Sequence, residues 1–124
     1  MATNAEVVKK AYAAFAGGDI DGLLDLLDDE VEWSAPATLP QGGTFTGKAG
    51  AAKFFEGVGA AWETLQVDTE SVGELGANLA VGVVHGTGRL RDRGPAQYGA
   101  VHVFTLRNGK ITRFREYVDL DEAL

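Results

Sequence analysis

The periodicity of the chain changes at Trp62. Beyond that residue the sequence reads as four long strands, Thr64 to Glu74, Asn78 to Leu90, Ala96 to Leu106 and Lys110 to Val118, separated only by "LGA", "RDRGP" and "RNG". Before it, apolar residues recur mostly at helical spacing. Val8, Tyr12 and Phe15, with Ala11 beside them, predict a helix over residues 4–16, opened by a Thr3/Glu6 capping box and stopped by Gly17-Gly18. Asp19 caps a second helix carrying Leu23, Leu24, Leu26 and Leu27. Glu30 to Ala35 alternates as a strand with Val31, Trp33 and Ala35 on one face, and "PATLPQGGTFTG" reads as a loop. Thr46 or Gly47 opens a third helix containing Phe54, Phe55, Val58 and Trp62. Helices first and strands later predict an α+β architecture, with helices on one face of a mixed or antiparallel sheet.

The 124 residues form one domain, 1–124, long enough to bury roughly two-thirds of the unfolded surface. A net charge of −7 with no basic patch argues against nucleic acid and acidic membrane surfaces as partners. Cysteine is absent, which removes disulfide and thiolate chemistry. No run reaches a membrane span, and the N-terminus lacks a signal-peptide core, so a cytoplasmic protein is expected. The chain carries no phosphate loop, zinc pattern or nucleophile elbow, and "GTG" at 86–88 lacks the helix that a dinucleotide site needs. With two histidines in all, no metal and no cofactor are expected. The acidic run Asp25, Asp28, Asp29 and Glu30 reads as a solvated helix end.

Chemistry must then come from His, Asp, Glu, Tyr or Trp in a cavity, and "YGAVHVFTLRNGKI" offers an imidazole inside an apolar strand. If Arg107-Asn108-Gly109 forms the turn, His102 lies opposite Phe114, Phe104 opposite Thr112, Ala100 opposite Glu116 and Tyr98 opposite Val118. One face then carries Tyr98, Ala100, His102, Phe104, Phe114, Glu116 and Val118, with Glu116 diagonal to His102. A tighter Asn108-Gly109 turn would set Arg115 opposite His102 and turn Glu116 to the other face. The first register gives an aromatic face with one base and one acid, as a small-molecule cavity requires. The alternative is a core histidine satisfied by Glu116 or backbone. His85, on a face with Leu79, Val81 and Val83, is either a second cavity residue or a surface residue.

"AYAAFAGGDIDGLLDLLDDEVEWSAP" (11–36), "GGTFTGKAGAAKFF" (42–55) and "HVFTLRNGKITRFREYVD" (102–119) together resemble the SnoaL-like proteins of the nuclear transport factor 2 and ketosteroid isomerase superfamily. The resemblance implies a cone, a strongly curved sheet wrapped against three helices with a cavity at its wide end, and frequent dimers through the outer sheet face. It also places His102 where ketosteroid isomerases carry their second oxyanion donor, which favours the first register. The isomerase base position is Ala35, before Pro36, and the helix-1 tyrosine position is Ala11, next to Tyr12. The isomerase mechanism therefore does not transfer, and no convincing copy of the epoxide hydrolase Asp-Arg-Asp set is present.

These readings predict an enzyme acting on a small, mostly apolar, carbonyl-bearing molecule by isomerase- or cyclase-type acid/base chemistry. His102 is the expected acid/base or oxyanion donor, oriented by Glu116. Tyr12, Trp33, Phe54, Phe55, His85, Tyr98, Phe114 and Val118 are the expected substrate-binding residues. A non-catalytic binding domain for an apolar ligand, or a structural dimerisation domain, are the alternatives. A homodimer is expected through an outer face carrying Val101, Val103, Ile111 and Tyr117.

Overall fold

The computed structural model describes residues 2–36 and 39–118. Its elements are α1 (Asn4–Ala16), α2 (Ile20–Leu24), β1 (Leu27–Ala35), β2 (Gly43–Thr46), α3 (Gly47–Ala61), β3 (Trp62–Leu75), β4 (Leu79–Leu90), β5 (Gly94–Arg107) and β6 (Lys110–Val118). The six strands form one curved sheet in the order β2-β1-β6-β5-β4-β3, antiparallel except where β1 runs parallel to β6. Three helices and this sheet make the expected α+β cone.

The first helix has its predicted bounds. The Thr3 hydroxyl oxygen accepts from the Glu6 N–H at 3.1 Å and donates to the Glu6 carboxylate, so one donor of the first turn is satisfied. Val7, Val8 and Ala11 bury its inner stripe. The second helix is shorter than its leucines suggest. It ends at Leu24, and Leu27 is already in β1. The Leu26 carbonyl accepts from the Ile111 N–H at 2.9 Å and Leu27 pairs with Ile111, so sheet pairing takes over residues that local spacing gives to a helix. The anticipated loop contains a strand, β2, whose Phe45 pairs with Trp33; residues 37 and 38 of that loop lie outside the described residues. Trp62, expected in the third helix, opens β3.

The hairpin of β5 and β6 differs from the predicted register in an instructive way. The turn is the tight one: Arg107 pairs with Lys110, and Asn108 and Gly109 both have positive φ, 53° and 77°. Taken alone, this turn would send Glu116 outward. Between the Leu106–Ile111 and Thr105–Arg113 pairs, however, Thr112 is left over as a bulge, its hydroxyl donating to the Thr105 carbonyl at 3.2 Å. Turn and bulge each move the register by one residue, and the two shifts together restore the face. His102 lies directly opposite Glu116, not Phe114; Phe104 lies opposite Phe114 and Ala100 opposite Val118. The predicted inner face is therefore correct although its pairings are not. Ile111, expected outside, is fully buried opposite Leu106, because the bulge lies between it and the rest of the strand.

The core lies between the helices and the concave face of the sheet, with Val8, Leu27, Val31, Phe104, Leu106 and Ile111 sealed from solvent. The convex face carries Val81, Val83, Val101, Val103 and Tyr117 side by side across β4, β5 and β6, and Val101 and Tyr117, a cross-strand pair, are exposed. Among the described residues, no helix is long and apolar enough to cross a membrane.

Candidate functional site

Tyr12 from α1, Trp33 from β1, Phe54 and Phe55 from α3, Tyr98 and His102 from β5, and Phe114 and Glu116 from β6 meet around one cavity under the helices. Eight of the ten predicted site residues are thus brought together. His85 is not among them: it stands on the face of β4 opposite the one that pairs inward with His102, alongside Val81 and Val83, and faces away from the cavity. Alternation along the strand decides this, since Ala80, Gly82 and Val84 hold the buried face. Val118 shares the inner face but lies beyond the cavity, lining a shallow cleft with Ser34, Pro36 and Arg115 at the end of the sheet.

The walls are aromatic. Trp33 stacks on Phe114 with ring centroids 3.9 Å apart, and Phe54 and Phe55 close on Trp33 at 5.8 and 5.4 Å. The Trp33 indole N–H is buried and has no hydrogen-bond partner among the described residues. The cavity volume is about 70 Å³. That accommodates a few waters or a small molecule and falls well below the roughly 300–1,000 Å³ of drug-sized ligand sites.

Into this apolar box projects a hydrogen-bonded chain of three side chains. The Tyr12 hydroxyl meets His102 Nδ1 at 2.8 Å, and His102 Nε2 meets Glu116 Oε2 at 2.7 Å. The imidazole and carboxylate are 9% and 5% exposed, so neither is solvated from outside the fold. With Tyr12 donating to Nδ1, the ring proton sits on Nε2 and is donated to the carboxylate, and both contacts are satisfied. Both imidazole nitrogens are engaged. On the residues that line the cavity, Glu116 Oε1, the Tyr98 hydroxyl, the Trp33 indole N–H and the Gln41 NH2 have no hydrogen-bond partner among the described residues. Burial first, and the Glu116 carboxylate second, push the ionisation of both Tyr12 and Tyr98 far above the usual tyrosine value of 10.0. Both phenols therefore remain O–H donors throughout neutral and mildly alkaline pH.

Glycines make this placement possible. A Cβ on Gly82 would lie 2.1 Å from the Tyr12 hydroxyl, and one on Gly86 would lie 2.4 Å from the Tyr98 ring. Both glycines are on the concave face of β4, and each tyrosine occupies the room a side chain there would fill. "AVGVVHGTG" carried this signal, since glycines inside a strand mark close approach, but the glycines were read there only against a dinucleotide fingerprint. The sequence reading also missed Gln41, which lines the cavity from the β1–β2 loop with its amide oxygen accepting from the Trp62 indole at 3.2 Å. Nothing local distinguishes that glutamine from any other loop residue. Among the described residues, no three His, Cys, Asp or Glu side chains are grouped to hold a metal.

A family model for the SnoaL-like domain matches residues 8–114. The chain belongs to the SnoaL-like family. No curated protein matches it. Among solved structures, this SnoaL-like chain resembles an NTF2-like protein of unknown function from Burkholderia pseudomallei, with a TM-score of 0.88, 25% identity, and coverage of 99% of this chain and 95% of that one. It also resembles TerC, co-crystallized with polyporic acid, at 29% identity and a TM-score of 0.78 over 95% of this chain and 92% of TerC. A protein named as a candidate polyketide cyclase from Pseudomonas putida is similar in fold, with 24% identity and a TM-score of 0.78 over 99% of this chain and 96% of that one.

Proposed function

We propose that this SnoaL-like protein is an enzyme that moves a proton on a small, neutral, carbonyl-bearing molecule. The observation that carries this reading is the Tyr12–His102–Glu116 chain set into an otherwise aromatic cavity. Glu116 Oε1 takes a proton from the carbon next to the carbonyl: the C–H bond breaks, an O–H bond forms on the carboxylate, and the electron pair moves onto the carbonyl oxygen. The Tyr98 phenol donates to that developing oxyanion. Return of the proton to another carbon completes an isomerisation; attack of the enolate on a second carbonyl, with the proton on Glu116 passing to the alkoxide so formed, gives a cyclisation. His102 acts through Glu116, holding its other oxygen and fixing its direction, and Tyr12 holds His102 in turn. His102 is thus a positioning residue, and of the predicted pair Glu116 is the one that touches substrate. The apolar walls and the TerC structure with polyporic acid favour a second reading, a carrier that binds without reacting.

Exchange of the α-protons of cyclopentanone in D2O, followed by proton NMR, separates the two. The wild type is expected to accelerate exchange above buffer, and Glu116→Gln to remove roughly 10²- to 10⁴-fold of that acceleration, the usual worth of one positioned base. A wild-type rate equal to buffer, with the ketone bound, leaves only the carrier.

We also propose that two copies pair through the convex face. The patch of Val81, Val83, Val101, Val103 and Tyr117 crosses the three central strands. It is flanked by Arg113 and Arg115 on β6 and by Asp68, paired with His85, on β3, so a two-fold axis through the patch along the strands sets unlike charges against each other. Sedimentation is expected to give a dimer at micromolar concentration and a monomer for Tyr117→Glu; a monomeric wild type contradicts this assembly.

A further inference from the structure

Gln41 has the properties of a ligand-reading residue. It is 6% exposed, lines the cavity, and is held from both directions. On the backbone, the Leu39 N–H donates to the Pro36 carbonyl at 3.1 Å and the Gly42 N–H to the Leu39 carbonyl at 2.9 Å, which anchors the loop around it. On the side chain, Oε1 accepts from the Trp62 indole at 3.2 Å. Trp62 is itself buried, and an indole N–H can only donate. The amide is therefore oriented without ambiguity: its oxygen faces Trp62, and its NH2 points the other way. Among the described residues, that NH2 has no acceptor.

The residue is buried as a whole, yet its NH2 is not itself shut off from solvent, so it is open to an acceptor held in the cavity. The tyrosines are bound to the carboxylate–imidazole cluster or close to it, and Glu116 offers an acceptor. Gln41, like the Trp33 indole N–H, is a neutral donor that cannot ionise, and its amide is held in place by Trp62.

We propose that Gln41 is a binding residue of this site: its Nε2–H donates to an acceptor oxygen of the bound molecule, so the cavity selects oxygenated ligands, ketones above all, over hydrocarbons of the same shape. This rests on the reading of the cavity as a small-molecule site. Water occupies the donor in the free protein, and a ligand lacking the oxygen strands it on binding, which is what turns one hydrogen bond into discrimination. Trp62 serves as the clamp that keeps the donor end forward.

The test uses cyclopentanone, labelled with ¹³C at the carbonyl, and methylenecyclopentane, which replaces the carbonyl oxygen by CH2. Affinities are measured by NMR titration at pH 8, where a carboxylate is the ordinary form. The wild type is expected to bind the ketone about tenfold or more tightly than the alkene, with the carbonyl carbon shifting downfield, because one net hydrogen bond has about that worth. Gln41→Glu keeps an acceptor for Trp62 but presents an oxygen where the NH2 stood, and Gln41→Met removes both. Both are expected to lower the preference several-fold, the Tyr98 phenol being the donor to the oxygen that remains. A role limited to holding Trp62 predicts the preference intact in Gln41→Glu, and that result overturns the proposal. So does a wild type that binds both probes equally. A wild type that binds neither probe overturns the small-molecule reading and this inference with it.

Discussion

Replacing His102 by alanine will slow α-proton exchange on cyclopentanone by at least two orders of magnitude and will also lower stability. The first effect follows from the chain of contacts. Without the imidazole, Glu116 loses the donor on Oε2, 2.7 Å away, and with it the restraint that aims Oε1 into the cavity. A carboxylate free to rotate, or hydrated in the space the ring vacates, gives up the positioning on which acid–base catalysis depends. The second effect follows from burial. The Tyr12 hydroxyl and Glu116 are both deprived of their partner in an apolar surround, and each such loss costs about 1–3 kcal/mol. A histidine bonded only to cavity water could be removed with little loss of stability; here both ring nitrogens are bonded to protein. Thermal unfolding monitored by circular dichroism, together with the exchange assay, gives both quantities. An unchanged exchange rate in a folded His102→Ala protein is incompatible with the proposed mechanism. His102→Gln, which can still donate toward Glu116, is expected to retain part of the rate.

Trp33→Ala will have the largest effect on stability. Trp33 is 4% exposed, stacks on Phe114 at 3.9 Å, and touches Phe54 and Phe55 on its other sides. Truncating a buried aromatic of this kind costs about 3–5 kcal/mol, a large share of the 5–15 kcal/mol that holds a domain together. For a chain of this length that lowers the melting temperature by roughly 10–20 °C. The site should then be rebuilt by filling it: an apolar molecule large enough to occupy the added volume is expected to raise the melting temperature of the variant more than that of the wild type. A loss below 1 kcal/mol would place Trp33 outside the packed wall. Trp33→Phe, which keeps a stacking ring, is expected to cost much less.

Periodicity made most of the fold legible, because it reports burial. Helix α1 and strands β4 and β6 follow their patterns to within a residue, with Val8 and Ala11 on one helical stripe and Phe114 and Glu116 on one strand face. Non-local pairing decided what periodicity could not. Leu26 and Leu27 obey a helical spacing but answer to Ile111, far away in sequence, and Phe45 becomes a strand residue only because Trp33 offers it an edge. The site divides the same way. Residues on patterned strands were found; His85 was placed with valines that proved to be outward-facing, a parity the strand alone does not disclose. Gln41 was invisible because its role is set by Trp62, a contact between a loop and the first residue of a strand.

The odd residue at Thr112 has a consequence for anyone aligning or editing this chain. Since the ladder already absorbs one surplus residue there, deleting Thr112 would leave a regular two-residue hairpin in which Ile111 still meets Leu106, Phe114 still meets Phe104 and Glu116 still meets His102. What a sequence comparison would score as a gap in the most informative strand is thus close to silent in space. A relative one residue shorter at this point has not thereby lost the acid; without a gap its counterpart falls one column away, and a comparison that refuses the gap will miss it.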